Sequence, residues 1–350
     1  MDNIFCDFGA NNLYNLVKGL PSQIEGAKRG DDIEHIHKTR VTTRRIRSSL
    51  PVFRNCIPKS NYKIWIKEIK KLTRSLSAVR DLDVKIDCLT NIARENEGNS
   101  RYQPGLRRLI VRLTQMRNKN QKTVDETLNA FSDNKIIEDI YTVINPQIRE
   151  QKLPQVYSHT LYTKSYMEIS RLLRQLFNIE IHVYNPENIK ELHQMRIVGK
   201  YLRYTMEIFA SIYANELKNQ LNIVRTLQEL LGQIHDCDVW LEFLPSFIQK
   251  EIKYTNKFYG TTMPFARIKP GLEFFHDNRK EERQKRYSEF IDNWRNWKSR
   301  RVWEELYRII YLPVHMTKNI FPEAQLVTLS KIEYPLKLPY YDHEDFSNQD

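Results

Sequence analysis

A row of basic side chains at helical spacing is the part of this sequence best suited to chemistry. A histidine is followed by arginine three residues later and by further bases at the seventh and tenth positions, and the row occurs twice. Its members are His37, Arg40, Arg44 and Arg47 in the first copy and His193, Arg196, Lys200 and Arg203 in the second. On a helix each copy covers roughly 80° of arc and about 15 Å of axis. Such a row suits a linear chain of phosphates, because arginine offers a planar pair of donors and lysine a compact charge.

Each row lies beside an apolar stripe of the same helix and not opposite it. The stripe consists of Ile36, Ile46, Leu50 and Phe53 in the first copy and of Leu192, Met195, Leu202 and Met206 in the second. A merely solvated charged face would lie across the helix from the core. We therefore expect both rows to line a groove or cavity, and we expect Arg45, which falls outside the row, to be exposed or ion-paired.

The two histidines at the head of the rows, His37 and His193, have an alternative interpretation as core residues bonded to a carboxylate. As anion ligands they need a proton, and a phosphate-rich site would raise the pKa of each imidazole in that direction. Cations three and seven residues further on would repel a divalent metal, so we predict no metal site here.

The helix after each row adds bases to the predicted site. Lys70 and Arg225 occupy matching positions in the two copies. Arg74 belongs to the first copy only, because Glu229 stands at the matching place in the second. We expect Lys70, Arg74 and Arg225 to bind the same polyanion as the rows.

Two pairs of aspartates follow, Asp81 with Asp83 and Asp236 with Asp238. Carboxylates two residues apart on a helix do not share a face, which argues against a catalytic acid–base pair. We expect them to hold the arginines of the rows from behind, with metal binding as the weaker alternative. No catalytic residue is predicted.

The composition favours an anionic partner. The 350 residues include 55 Lys and Arg against 43 Asp and Glu, a net charge of +12, and this balance is typical of proteins that meet nucleic acid, anionic membranes or phosphate polymers. Only 10 glycines occur, and none forms a phosphate-binding loop.

The cysteines and the apolar pattern bear on the compartment. The four cysteines, Cys6, Cys56, Cys88 and Cys237, form no C-x-x-C pair. We therefore expect neither a zinc site nor a disulfide framework, and a reducing compartment. No signal peptide and no apolar run of membrane-spanning length is recognisable, so the expected location is the cytoplasm, with no membrane partner.

Apolar periodicity predicts an all-α chain. The predicted helices are residues 10–28, 32–55, 60–97, 104–131, 135–149, 157–179, 187–213, 216–251 and 271–311. A loop is predicted from Tyr254 to Pro270, and an irregular tail at 321–350. The last helix carries bases among Trp294, Trp297 and Trp303. Such interleaving can bind nucleic acid, but we expect these tryptophans in the core.

An internal duplication organises the chain. Besides the rows, the segment 76–84 matches 231–239, and Pro-Gly-Leu at 104–106 returns at 270–272. Three anchors in the same order at similar offsets indicate a repeated unit. We predict two pseudo-symmetric four-helix units, residues 1–150 and 151–320, around a central basic pore lined by both rows.

The repeated H-x-x-R-[VI]-x-x-[RK]-x-[IL]-R pattern, followed each time by [RH]-D-x-D-V, resembles the CHAD family of conserved-histidine α-helical domains. The segment Lys200 to Phe209 looks like the family's K-x-L-R-Y-x-x-E-x-F signature. The resemblance covers about residues 10–311. It implies an all-helical fold with a basic pore and binding of inorganic polyphosphate. Some members carry a β-rich triphosphate-tunnel enzyme domain, which this sequence lacks.

The sequence thus predicts a non-catalytic module that binds inorganic polyphosphate without a cofactor. The alternatives are an enzyme that processes polyphosphate or nucleotide phosphates, and a nucleic-acid-binding protein, which is the less favoured partner class. Proteins associated with polyphosphate are further expected partners, and residence at polyphosphate granules would follow from the ligand.

Overall fold

The protein is helical throughout the residues that a computed structural model describes, which are 3–29, 33–148 and 157–320. Every regular element in these ranges is an α-helix or a short 3₁₀ turn, so the all-α prediction is confirmed. The predicted tail at 321–350 lies outside the described residues. None of the described helices is long and apolar enough to cross a membrane.

Eleven α-helices follow one another in the described ranges. They are α1 (Asn3–Val17), α2 (Leu20–Arg29), α3 (Ile33–Val52), α4 (Lys59–Glu95), α5 (Gln103–Asp133), α6 (Ile136–Ile144), α7 (His159–Glu180), α8 (Ile189–Phe209), α9 (Lys218–Tyr259), α10 (Lys269–Ser299) and α11 (Val302–Ile320). The repeated rows therefore lie on α3 and α8, and each is followed by a long helix, α4 or α9.

The first predicted helix, residues 10–28, is wrong as a single element. The chain instead forms α1, which begins at Asn3, and α2, with a turn at Lys18 and Gly19 between them. Pro21 lies in the first turn of α2, where a missing backbone N–H is tolerated.

The last predicted helix, residues 271–311, is also two helices. It breaks at Arg300 and Arg301, and Arg301 adopts a left-handed φ of 53°. The break brings Trp303 of α11 against Trp294 and Trp297 of α10, with ring centroids 5.4 and 6.3 Å apart. All three tryptophans are buried, which confirms their predicted place in the core.

Helix α9 is longer than predicted. It continues past residue 251 to Tyr259 and ends at Gly260, whose φ of 70° is a left-handed conformation that glycine adopts without strain. The predicted loop from Tyr254 therefore begins six residues later, at Gly260, and a 3₁₀ turn at Met263–Arg267 leads into α10.

The helices form two compact units. Unit 1 takes the described residues of Met1–Arg80, Asn120–Tyr166 and Ile310–Asp350, and unit 2 takes Asp81–Lys119 and Met167–Ile309. This division differs from the predicted halves at 1–150 and 151–320, because α4, α5, α7 and α11 each contribute residues to both units. The internal duplication of the chain rests on the sequence and stays a prediction.

Unit 1 has a core of aliphatic side chains from α1 to α6. Trp65 of α4 is fully buried within it, and its indole N–H donates to a carboxylate oxygen of Asp139 on α6 at 2.6 Å. That bond satisfies the one polar group of a large buried ring. The core thereby fixes α4, the helix that faces the first row.

Unit 2 has a separate core built by α4, α5, α9 and α10. Trp240 of α9 meets the ring of Phe275 edge to face at 4.8 Å. The two Pro-Gly-Leu anchors also meet here: the Cα of Gly105 lies so close to Gly271 that a Cβ on either residue would overlap backbone atoms. Glycine at both places is what lets the starts of α5 and α10 touch.

A disulfide joins Cys6 of α1 to Cys56 in the turn after α3. The expectation of no disulfide is therefore wrong. The two residues stand 50 positions apart in the chain, and no local spacing shows that the packing of α1 against α3 brings them together.

Candidate functional site

Helices α3 and α8 present their rows as the sequence predicts. All eight residues of the two apolar stripes are buried. All eight side chains of the rows are half-buried, whereas Arg45 is exposed. The rows thus lie at the edge of the core, where aliphatic stems pack and charged ends still reach water.

In unit 1 the row on α3 is joined to α4. The Nε of Arg40 donates to the Oγ of Ser77 at 2.9 Å. Thr39 and Thr43, which lie between members of the row, are buried and donate back to carbonyl oxygens of their own helix. The bond to Ser77 therefore fixes one side of the Arg40 guanidinium against α4.

His37 experiences the positive charge of this surface. Desolvation lowers the pKa of its imidazole, and Arg80 of α4 lowers it further; Glu34 opposes this, while Arg40 and Arg44 reinforce it. The Nδ1 atom of His37 is buried without a hydrogen-bond partner. This nitrogen therefore makes no hydrogen bond to a carboxylate, which the alternative interpretation of His37 as a core residue would require there.

The first row continues into the predicted bases of α4. Desolvation lowers the pKa of Lys70, and repulsion from Arg74 and Arg47 lowers it further. Three of the predicted site residues, Arg47, Lys70 and Arg74, therefore lie close enough to interact electrostatically at the end of the row.

In unit 2 the histidine of the row meets a second histidine. The Nδ1 atoms of His193 on α8 and His235 on α9 are 3.1 Å apart, so one ring donates a hydrogen bond to the other. Their ring centroids are 4.4 Å apart. His235 and Arg80 occupy corresponding places, because each faces the histidine of its row from the following helix.

Lys200 and Arg203, the last two bases of the second row, contact neighbouring side chains of α8. The ammonium of Lys200 lies 5.3 Å from the ring centre of Tyr201. Arg203 lies 5.0 Å from the ring of Tyr204, and its Nε is 3.5 Å from the carboxylate of Glu207. One arginine of this row is thus already next to a negative charge.

Arg225 stands apart from the other predicted ligands. It is exposed, and its Nη1 donates to the side chain of Asn222 one turn earlier on α9. The structure brings no base beside it that is comparable to the Arg47, Lys70 and Arg74 cluster among the contacts described.

Two of the four aspartates, Asp83 and Asp238, pair with arginines outside the rows. Asp83 pairs with Arg117 of α5 at 3.1 Å, and Asp238 pairs with Arg283 of α10. These two arginines come from the helices that follow, so the prediction for Asp83 and Asp238 is wrong.

Asp236 comes nearer to the expectation. Desolvation raises the pKa of its carboxyl, while attraction to Arg196, a member of the second row, and to His235 opposes the rise. The described residues contain no group of three or more His, Cys, Asp or Glu side chains that could hold a metal.

Three residues next to the rows were missed as site residues: Ser77, Arg80 and His235. Arg80 and His235 occupy the same place in the repeated [RH]-D-x-D-V motif. Their alignment was therefore the signal that could have found them, because it places a titratable or basic group on the helix that follows each histidine of the rows.

The rows belong to different units, α3 to unit 1 and α8 to unit 2. The predicted pore lined by both rows stays a prediction. A separate open cleft of about 750 Å³ in unit 2 is lined by Glu273, His276 and Asp277 with residues of α9. It contains none of the predicted site residues, and its carboxylates would repel a polyanion.

Comparisons with known proteins place this arrangement among related folds. A family model described as "CHAD domain" matches residues 13–245. The chain resembles the crystal structure of the CHAD domain from the plant Ricinus communis, with a TM-score of 0.59 and 18% identity, covering 83% of this chain and 91% of that one. It also resembles PptA from Streptomyces chartreusis, with a TM-score of 0.57 and 14% identity, covering 83% and 99%. No curated protein matches.

Proposed function

The chain belongs to the CHAD domain family, and from this premise we propose that it binds inorganic polyphosphate through the basic rows of α3 and α8 without turning it over. The observation that carries the proposal is a cluster of cations in unit 1, formed by Arg47, Lys70 and Arg74. Desolvation lowers the pKa of Lys70, and repulsion from Arg74 and Arg47 lowers it further. A surface that concentrates positive charge in this way attracts anions.

A bound anion would change the electrostatic energy of this cluster of cations. Bringing phosphates to this cluster replaces repulsion between cations by attraction, so the repulsion present in the free protein adds to the affinity. Bases one turn apart repeat every 5.4 Å or so along a helix. A ligand that presents the same anion again and again can satisfy several of them at once, whereas a single phosphate can satisfy only one or two.

The half-burial of the side chains in the rows favours a ligand that consists of a phosphate chain alone. A guanidinium with a packed stem has fewer conformations to lose when it binds than a fully exposed one. Arg40 shows this directly, because its Nε is already fixed by Ser77 at 2.9 Å. Arginine offers phosphate oxygens a planar pair of donors, which suits a chain of phosphates.

A triple substitution tests the proposal. Arg40→Ala, Arg196→Ala and Lys200→Ala remove one base from the first row and two from the second. Since a hydrogen bond to a charged group contributes about 1.5–3 kcal/mol, we expect affinity for long-chain polyphosphate to fall by about a thousandfold or more, with helix content by circular dichroism unchanged.

A matched control removes the same charge elsewhere. Arg45, Lys190 and Lys218 are exposed bases outside the predicted site on α3, α8 and α9. Their combined replacement by alanine lowers the net charge equally, so any loss of affinity beyond this control belongs to the rows. Equal affinities of the two triple variants would move the site elsewhere.

Location and further partners stay predictions. The cytoplasm is the default location, and residence at polyphosphate granules, together with contact with proteins associated with polyphosphate, would follow from the ligand. The Cys6–Cys56 disulfide removes the argument from cysteine usage for a reducing compartment.

A further inference from the structure

The end of α9 in unit 2 exposes a group of large apolar side chains. We call this group the aromatic tip: Tyr254, Phe258, Tyr259 and Met263 are 54%, 81%, 61% and 80% exposed. Among the described residues no other large hydrophobic side chain is as exposed as Phe258 or Met263. Single exposed apolar residues are ordinary, but four within ten positions form a patch that calls for a partner.

The tip is held out by a rigid support. Helix α9 ends at Gly260, whose N–H donates to the carbonyl of Asn256 at 2.8 Å. Phe265, just beyond the tip, is buried and anchors the returning chain. The chain on both sides of the tip is therefore fixed to unit 2.

Deeper in α9 a buried ion pair fixes the same helix. Glu251 is 2% exposed and accepts from Arg108 at 2.6 Å and from Arg112 at 2.7 Å, both on α5. The guanidinium of Arg112 also lies 5.2 Å from the ring centre of Tyr254. The last turns of α9 are thus clamped to α5 just below the exposed rings.

The charge around the tip has one sign. No Asp or Glu occurs between Ile252 and Leu272. Lys253, Lys257 and Arg267 are exposed within this stretch. Aromatic side chains flanked by lysines are the combination that anchors proteins at the boundary between headgroups and acyl chains of anionic bilayers.

We propose that the aromatic tip is a membrane-docking element that inserts into the headgroup region of an anionic phospholipid surface, with Lys253, Lys257 and Arg267 meeting the lipid charge. This departs from the expectation of no membrane partner, which rested on the lack of a spanning segment. A membrane contact made by only four side chains does not require a long apolar segment in the sequence. Membrane docking is independent of polyphosphate binding, because no residue of the aromatic tip belongs to the rows.

Two other partners fit the tip less well. A stable protein interface buries about 800 Å² on each side, more than four side chains around one turn provide. Single-stranded nucleic acid needs ring faces open for stacking, but the rings of Phe258 and Tyr259 meet each other edge to face at 4.8 Å.

A tryptophan placed at the tip of the full chain reports insertion. The five native tryptophans are at most 4% exposed, so Phe258→Trp adds one that faces water. With vesicles of phosphatidylcholine and phosphatidylserine we expect its emission to shift to the blue and to be quenched by brominated acyl chains. Phosphatidylcholine alone should produce a much weaker response, and salt should weaken the response to the mixed vesicles.

A matched control is Ile181→Trp. Ile181 is 76% exposed in unit 2 but outside the tip, so its tryptophan should be neither shifted nor quenched. Quenching equal to that of Phe258→Trp would overturn the proposal, as would no quenching of Phe258→Trp by either vesicle. A response of Phe258→Trp to single-stranded nucleic acid and not to vesicles would assign the tip to that partner and refute the lipid contact.

Vesicle sedimentation separates the tip from the basic rows. Phe258→Ser with Met263→Ser should lower vesicle binding by about tenfold or more, and Lys253→Gln with Lys257→Gln by about fivefold for each lysine. Both pairs of residues are exposed, so the fold should be unaffected. Undiminished binding of the serine variant would show that other basic surfaces attract the vesicle and would overturn the proposal.

Discussion

Replacing Gly105 by alanine should weaken the folding of unit 2 strongly. A Cβ at this position would overlap the carbonyl oxygen of Ile268 and lie 2.8 Å from the Cα of Gly271 and 2.9 Å from the backbone nitrogen of Leu272. All three neighbours are backbone atoms, so no side-chain rotation relieves the overlap. The start of α5 must move away from the start of α10.

The expected magnitude follows from that movement. Overpacking a core costs about 1–3 kcal/mol, and we expect the upper end because Leu106 and Leu272, the residues next to the contact, are fully buried. The control is Gly232→Ala in the middle of α9, where an added Cβ meets nothing within 4 Å. Alanine there should stabilise the helix by up to about 1 kcal/mol.

Urea unfolding of the full chain measures the difference. Tryptophan fluorescence is a suitable probe because Trp240, Trp294, Trp297 and Trp303 all lie in unit 2. With a urea dependence of about 3 kcal/mol per molar, the midpoints of the two variants should differ by roughly 1 M. A midpoint for Gly105→Ala equal to that of Gly232→Ala would refute the close contact of the two glycines.

Two further predictions concern charged groups. Glu251→Ala should lower the free energy of unfolding by about 3 kcal/mol, because it removes the buried carboxylate that two arginines share. Arg108→Ala should cost only about 1 kcal/mol, since Arg108 is 39% exposed and Arg112 still pairs with Glu251. Equal losses in a denaturation series would contradict this shared ion pair. His37, whose pKa is lowered in the free protein, should take up protons when polyphosphate binds. Phosphate raises the pKa of the imidazole, so affinity should increase as pH falls below about 6.5, the ordinary value for histidine. Calorimetry in two buffers of different ionisation enthalpy measures that uptake, and an uptake unchanged in His37→Asn would contradict the assignment.

Local periodicity made the rows and their stripes predictable. The burial of a helix face depends mainly on residues three and four apart, which the sequence displays directly. Ile36 and Leu50 on α3, and Leu192 and Met206 on α8, are buried as that rule requires. The half-burial of the rows follows from the same angles.

Contacts between helices were not predictable in the same way. The pairing of Asp83 with Arg117, and of Asp238 with Arg283, depends on the register of α4 on α5 and of α9 on α10, which no single-helix pattern encodes. The contact of His193 with His235 has the same origin.

The break between α10 and α11 was not predictable from the sequence, because no glycine or proline marks it. The break before α11 occurs at two arginines, and the packing of Trp303 outweighs the left-handed strain at Arg301. For α9 the predicted end is too early. Gly260 ends the helix, whereas the apolar pattern predicts its end at residue 251.

Calorimetric titration of the full chain with long-chain polyphosphate, with phosphate release assayed in the same samples, tests the central claim most directly. Duplex DNA and a mixture of ATP and magnesium serve as competitors. We predict tight binding that neither competitor displaces, with no phosphate released. Release of phosphate would make the protein an enzyme, and no binding would mean that the rows on α3 and α8 serve another anion.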